Sequence, residues 1–81
     1  MKVNGDLLKG KIISQGYSYE SLSNKAKQLG YSLTPTAISN VVTNKNKPSY
    51  NTMVAFYTIL DLTPQEGDEI FFNKKLHKTG I

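Results

Sequence analysis

The sequence contains no cysteine and no arginine, and it has a single histidine, His77. Without cysteine the chain can form neither a disulfide nor a thiolate metal site, and small secreted domains of this length usually depend on disulfides. Without arginine, any contact with an anion must come from lysine, from side-chain amides or from backbone N–H groups. We therefore expect a protein of a reducing compartment, the cytoplasm.

Groups that commonly support catalysis are also scarce. The sequence has no glycine-rich phosphate loop, no histidine cluster and no pair of acids among apolar neighbours. It has no apolar run of signal-peptide length at its start and no window near the roughly 18 uncharged apolar residues of a membrane span. We expect a protein that is not an enzyme, with no cofactor, no metal, no small-molecule substrate and no membrane partner.

The 81 residues, 38% of them hydrophobic, are enough for one small domain. Their charge is unevenly distributed. Residues 1–60 hold seven lysines and two acids, residues 61–72 hold four acids and no lysine, and residues 73–81 hold three lysines and no acid. We therefore expect a polyanion to bind to residues 1–60. The alternative is that the lysines serve only solubility.

Capping and turn signals divide residues 1–72 into five short helices, which predicts an all-α fold. Residues 73–81 form a basic tail that we expect to fray. Between the third and fourth helices, the sequence NKNKP cannot continue a helix easily and predicts a loop. The predicted N-caps are Asn4, Ser18, Thr34, Ser49 and Thr63, with Pro35 and Pro64 at first helical positions.

Helical spacing of apolar residues predicts which face of each helix is buried. The predicted faces are Leu8 and Ile12; Leu22, Ala26 and Leu29; Ala37, Ile38, Val41 and Val42; Met53, Phe56, Tyr57 and Leu60; and Gly67, Ile70 and Phe71, which should meet the fourth helix. Phe72 falls instead on a polar face of the fifth helix, near Leu76. We expect either the tail or a second copy of the chain to cover it, and we favour a homodimer.

The third helix carries only short, uncharged, hydrogen-bonding side chains on its outer face. Such side chains let a helix backbone approach base edges in the major groove of DNA, where they can donate and accept hydrogen bonds. Lysines follow at once, on a loop where a phosphate backbone would pass. The residues expected to read bases are Thr36, Ser39, Asn40 and Thr43.

The segments YSYESLSNKA (17–26), TPTAISNVVTNK (34–45) and KPSYNTMVAFYTILDLTPQE (47–66) resemble the lambda-repressor-like helix-turn-helix proteins of the Cro/C1 type, the XRE family. The resemblance covers about Gly5 to Phe72. It implies a five-helix domain over residues 1–72 in which the third helix enters the major groove. The distance from Leu22 to Ile38 exceeds that of the tight family elbow by five residues. The residues expected to contact phosphate are Tyr19, Lys25, Asn44, Lys45, Lys47 and Tyr50.

The function that follows is a sequence-specific regulator of transcription that binds double-stranded operator DNA, as a repressor encoded by a phage or mobile element. Two alternatives remain on the same fold. One is an antitoxin-type autoregulator, and the other is a protein-binding adaptor or antirepressor whose third helix docks to a protein. Salt dependence separates DNA binding from a hydrophobic protein interface, because phosphate contacts release counterions.

Overall fold

The computed structural model describes residues 2–72, and each of its helices begins directly after a polar side chain that caps it. Ser18 Oγ accepts a hydrogen bond from Ser21 N at 3.0 Å, and Thr63 Oγ1 accepts one from Glu66 N at 3.1 Å. These bonds satisfy N–H groups that have no partner within the helix. All five predicted caps are confirmed. The helices are α1 (Gly5–Ser14), α2 (Tyr19–Gln28), α3 (Pro35–Val42), α4 (Tyr50–Ile59) and α5 (Pro64–Phe71).

The five helices enclose one core, to which every helix contributes. The helix α2 packs against α3 and α4, and α1 packs against α3 and α5. Within residues 2–72 there is no strand, so the predicted all-α class is confirmed for that part of the chain. No helix in the described range is both long and apolar enough to cross a membrane. The buried apolar residues are Val3, Leu8, Ile12, Leu22, Ala26, Leu33, Ile38, Val41, Ala55, Phe56, Ile59, Leu60, Leu62, Ile70 and Phe71.

The predicted burial of Leu29 is wrong, since its side chain is 47% exposed. The helix α2 ends at Gln28, and Leu29 lies at its C-cap. Gly30 then takes a positive φ of 90°, which glycine adopts without steric cost. This turn redirects the chain, and Leu33 enters the core instead, only 3% exposed.

The predicted core face of the fourth helix is half right. Phe56 and Leu60 are fully buried, but Met53 and Tyr57 are only half-buried. The core is completed instead by Ala55 and Ile59, which lie on the other side of Phe56. The helix α4 is therefore apolar on two faces. One face is fully buried, and the other, which includes Met53 and Tyr57, packs against the edge of the core and stays partly exposed. In α3, likewise, Ile38 and Val41 are buried as predicted, whereas Ala37 and Val42 are half-buried.

The predicted contact between the fourth and fifth helices is confirmed. The ring centroid of Phe71 lies 5.8 Å from that of Phe56 and 5.7 Å from that of Tyr57. Gly67 adds to this contact, because a Cβ atom there would overlap the Tyr57 ring. Phe72 is 43% exposed, in accordance with its place off the core face. The predicted fraying of residues 73–81 and the position of Leu76 lie outside the described residues.

The N-terminal segment, residues 2–4, contacts both α3 and α5. Val3 is buried, and Asn4 N donates a hydrogen bond to the carbonyl of Ile70 at 2.7 Å. The next residue, Gly5, lies so close to the end of α3 that an added Cβ atom would overlap the carbonyl of Val42. The start of the chain therefore helps to fix where α3 ends.

Candidate nucleic-acid interface

The helix α3 owes its position to its first and its buried residues. Thr34 Oγ1 accepts a hydrogen bond from Ala37 N at 3.0 Å, and Pro35 occupies the first turn, where its missing N–H group is not needed. Ile38 is fully buried and Val41 nearly so. Burying an aliphatic side chain of this size contributes about 1.5–3 kcal/mol, so these two residues fix the rotation of α3 about its axis.

The opposite face of α3 presents four short polar side chains and no charge. Thr36 and Thr43 are exposed, and Ser39 and Asn40 are half-buried. Thr43 Oγ1 donates a hydrogen bond to the carbonyl of Ser39 at 2.8 Å. Within residues 2–72, the side chains of Thr36, Ser39 and Asn40 form no hydrogen bond. The structure thus brings together all four residues that the sequence predicts to read bases, and three of them retain their full hydrogen-bonding capacity.

A tight turn folds the following loop back onto the end of α3. Asn44 adopts a left-handed conformation with φ of 63°, which asparagine tolerates better than most residues. The carbonyl of Asn40 then accepts hydrogen bonds from Lys45 N at 2.8 Å and from Asn46 N at 3.3 Å. Lys45 is therefore held by its backbone directly beside a predicted base-reading residue, while its side chain is exposed.

The side chain of Asn44 is hydrogen-bonded to the backbone of the N-terminal segment, although the residue as a whole is exposed. Its Oδ1 accepts a hydrogen bond from Val3 N and its Nδ2 donates one to the Val3 carbonyl, both at 2.8 Å. One N–H of Nδ2 remains for another acceptor. The contact of Asn44 with phosphate stays a prediction, but this geometry gives Asn44 a structural role that the sequence analysis missed. No local signal could have revealed it, because the two residues are 41 positions apart.

The longer turn between α2 and α3 is an ordered part of the surface. Tyr31 N donates to the carbonyl of Ala26 at 2.8 Å, and Leu33 is anchored in the core. The turn is therefore held at two points. Between this turn and the last part of α2 lies a cleft of mixed polarity, lined by Ser23, Asn24, Lys27, Gly30, Tyr31, Ser32, Leu33 and Thr34.

Exposed lysines lie near both ends of α3. At its start, Lys27 borders this cleft together with Thr34, and at its end Lys45 and Lys47 occupy the loop. Lys25 lies in the same last turn of α2, where a cation also complements the helix dipole. Within residues 2–72 an ion pair joins Lys11 Nζ to Glu66 Oε2 at 2.7 Å. No acidic group in that range pairs with the lysines near α3. Their charge is thus available to an anion.

The two tyrosines predicted to contact phosphate occupy different surroundings. Tyr19, at the start of α2, is half-buried and packs against the core. Tyr50 is 76% exposed and lines a separate apolar groove on α4. The contact of Tyr50 with phosphate stays a prediction. Lys27, one turn before Gly30, is a further exposed lysine on this side of the molecule.

The chain matches no protein-family model, no curated protein and no solved structure. The assignment of a function therefore rests on the residue pattern and on the geometry described above. No group of three or more histidine, cysteine, aspartate or glutamate side chains in the described range is arranged to hold a metal ion.

Proposed function

We propose that this protein is a sequence-specific regulator of transcription that binds double-stranded DNA through α3. In this proposal the domain has the lambda-repressor-like fold, α2 and α3 form its helix-turn-helix, and α3 lies in the major groove. The observation that carries the proposal is the distribution of neutral and charged side chains along α3. Its outer face bears only neutral hydrogen-bonding groups, and lysines that form no ion pair within residues 2–72 lie near both of its ends.

This arrangement suits the two parts of DNA recognition. The lysine side chains can approach the phosphate backbone on either side of a groove and set the orientation of the protein. Thr36 and Asn40 can then donate to and accept from base edges, and the asparagine amide is suited to bidentate pairing with adenine. Bound to an operator, the protein would occlude it from RNA polymerase and so repress transcription.

The proposal is tested by selecting bound sequences from a random duplex pool and measuring the affinity for the selected duplex over a range of salt concentrations. Four lysine contacts with phosphate give an expected slope of about −3.6 for log K against log salt. Because any protein with a net charge of +4 binds DNA weakly, a scrambled duplex is the necessary control. Specific binding requires a preference of about a thousandfold or more for the selected duplex. Equal affinity for both duplexes, or no binding at low salt, contradicts the proposal.

A further inference from the structure

The N-terminal segment, residues 2–4, lies against the turn that ends α3 and is fixed there at several points. The side chain of Val3 is only 4% exposed, and its N–H and carbonyl are both hydrogen-bonded to the Asn44 amide. The next N–H, that of Asn4, donates to the carbonyl of Ile70 at 2.7 Å. The residue before Val3 therefore extends from a backbone that is held on both sides.

That residue is Lys2, which is exposed close to the end of α3. It lines a shallow polar cleft together with Val42 and Asn44. Asp6 lines the same cleft and is also exposed, but within residues 2–72 no acidic group forms an ion pair with Lys2. The charge of Lys2 is therefore available to an anion that approaches the end of α3.

The side chain of Asn44 connects Lys2 with Lys45, although the two lysines are far apart in the sequence. Lys45 follows Asn44 directly, and its N–H is bonded to the carbonyl of Asn40. Lys2 directly precedes Val3, whose backbone the Asn44 amide holds. Each strand of DNA carries one phosphate about every 3.4 Å of helix axis, so two lysines that flank one hydrogen-bonded pair can contact neighbouring phosphates.

We propose that Asn44 is a positioning residue for DNA binding, and that it acts by holding Lys2 where this lysine contacts the phosphate backbone next to Lys45. The Asn44 amide does not itself touch DNA in this arrangement, because its bonds to Val3 fix the backbone from which Lys2 extends. A lysine on a fixed backbone loses less conformational freedom on binding than one on a free chain end. This positioning role rests on the proposed function, and it adds a fifth lysine contact to the four counted there.

The first experiment measures the affinity for the selected duplex over a range of salt concentrations. A fifth phosphate contact steepens the expected slope of log K against log salt from about −3.6 to about −4.5. Lys2→Ala should make the slope shallower by about 0.9 and weaken binding about tenfold at about 50 mM salt. It should leave the base preference unchanged, because phosphate contacts carry no sequence information.

The matched control for this experiment is Lys9→Ala. Lys9 is exposed on α1, as Lys2 is exposed before it, but it does not line the cleft. The two variants have the same net charge, so a difference between them reports the position of the lysine. Lys9→Ala should leave the slope nearly unchanged.

The second experiment tests whether Asn44 acts through Lys2. Asn44→Gly removes both bonds to Val3, and glycine accepts the positive φ at this position. It should make the slope shallower by about 0.9, as Lys2→Ala does. In the Asn44→Gly background, Lys2→Ala should have no further effect, because the lysine is then no longer held beside the phosphate. Circular dichroism confirms that each variant is folded under the conditions of the titration.

A third variant, Asp6→Asn, gives a test of opposite sign. The carboxylate of Asp6 lines the same cleft and repels a phosphate bound by Lys2. Its neutralisation should strengthen binding about twofold to threefold at low salt, and less as the salt concentration rises. An unchanged affinity would show that no phosphate lies at the cleft.

Three further outcomes overturn the inference. A wild-type slope in Lys2→Ala shows that Lys2 does not contact phosphate. Additive effects of Lys2→Ala and Asn44→Gly show that Lys2 reaches the phosphate without Asn44. A loss of affinity in Asn44→Gly at an unchanged slope makes Asn44 itself the DNA contact, because a neutral amide releases no counterion.

The wild-type protein distinguishes these failures from a failure of the proposed function. Each of them is observed with a wild type that prefers the selected duplex over the scrambled one. A wild type without that preference, or without binding at low salt, contradicts the proposed function and removes the role of Asn44 with it.

Discussion

Asn44 holds the backbone of Val3 on both sides, accepting a hydrogen bond from its N–H and donating one to its carbonyl, each at 2.8 Å. The pair joins the turn after α3 to the N-terminal segment. Asn4, the next residue, continues the connection by donating its N–H to Ile70 in α5. Three hydrogen bonds thus connect the turn after α3 to α5 by way of Val3 and Asn4.

The first prediction concerns this connection. Asn44→Ala removes both hydrogen bonds and also places alanine at a positive φ, so it should lower the free energy of unfolding by about 2–4 kcal/mol. Asn44→Gly loses the same bonds but accommodates the backbone, and it should cost about 1–2 kcal/mol. Urea unfolding measures both changes.

Asn46→Ala is the matched control, because Asn46 is exposed in the same loop and has no positive φ. Its effect should stay within about 0.5 kcal/mol. Equal effects of Asn44→Ala and Asn46→Ala would show that the contact with Val3 contributes nothing to stability.

The second prediction compares two glycines of α1. Gly5→Ala brings a Cβ atom against the carbonyl of Val42, a backbone atom that cannot move aside cheaply, and should destabilise the fold by about 1–3 kcal/mol. Gly10→Ala meets no atom within 4 Å and should stabilise α1 by about 0.5–1 kcal/mol. Thermal or urea unfolding distinguishes the two signs. A stabilising Gly5→Ala would contradict the close approach of α1 to the end of α3.

The third prediction separates base reading from phosphate contact and follows from the proposed function. Asn40→Ala should weaken binding of the selected duplex by about 1–3 kcal/mol and relax the preference at one or two base pairs. Lys45→Ala should weaken binding to all duplexes alike and reduce the magnitude of the salt slope by about 1. Binding titrations against a panel of single-base variants measure both effects.

Lys9→Ala provides the control for charge alone. It removes one positive charge from the exposed surface of α1 and should change the affinity less than Lys45→Ala does. The assignment of roles is refuted if Lys45→Ala alters the base preference while Asn40→Ala leaves it intact.

The fourth prediction concerns the pH dependence of stability. The hydrogen bond from Lys11 Nζ to Glu66 Oε2, and after it the one from Thr63 N to Oε1, holds the pKa of Glu66 below its usual value. A carboxyl group whose pKa is lowered on folding stabilises the protein above its unfolded pKa and loses that contribution as the pH falls through the folded pKa. Stability should therefore decline below about pH 5.

Glu66→Gln should flatten this decline, because glutamine does not titrate, and should also lower the stability at neutral pH. Glu20→Gln is the control, since Glu20 is exposed in the first turn of α2 and has no hydrogen-bond partner in the described range. Urea unfolding between pH 3 and pH 7 makes the comparison. Parallel stability profiles for Glu66→Gln and the wild type would remove Glu66 as the cause.

The sequence predicts the helices well because their signals are local. Thr34 before Pro35 specifies the start of α3 within two residues, and each of the other helices also begins after a side chain that accepts a hydrogen bond from its first turn. Burial is harder to predict where a helix is apolar on both sides. In α4 the spacing of Met53 and Tyr57 is as regular as that of Ala55 and Ile59, so periodicity alone cannot choose the core face. Tertiary packing, in which α4 lies against α2, decides it.

The candidate site was predictable to a similar extent. The polar face of α3 follows from helical geometry, so the grouping of its four small side chains needs no tertiary information. What the sequence could not provide is the surroundings of each residue. The engagement of Asn44 by Val3, and the place of Tyr50 in the apolar groove, both depend on contacts between distant parts of the chain.

The attachment of Val3 to Asn44 has a practical consequence for binding measurements. Any peptide fused ahead of residue 2 must leave the protein beside the end of α3 and the lysines that follow it. A polyhistidine tag at that position would crowd the surface through which we propose that DNA binds, and an acidic tag would compete with phosphate for Lys45. Cleaving such a fusion before measurement should therefore raise the apparent affinity for duplex DNA, by a larger factor for an acidic tag than for a neutral one of equal length.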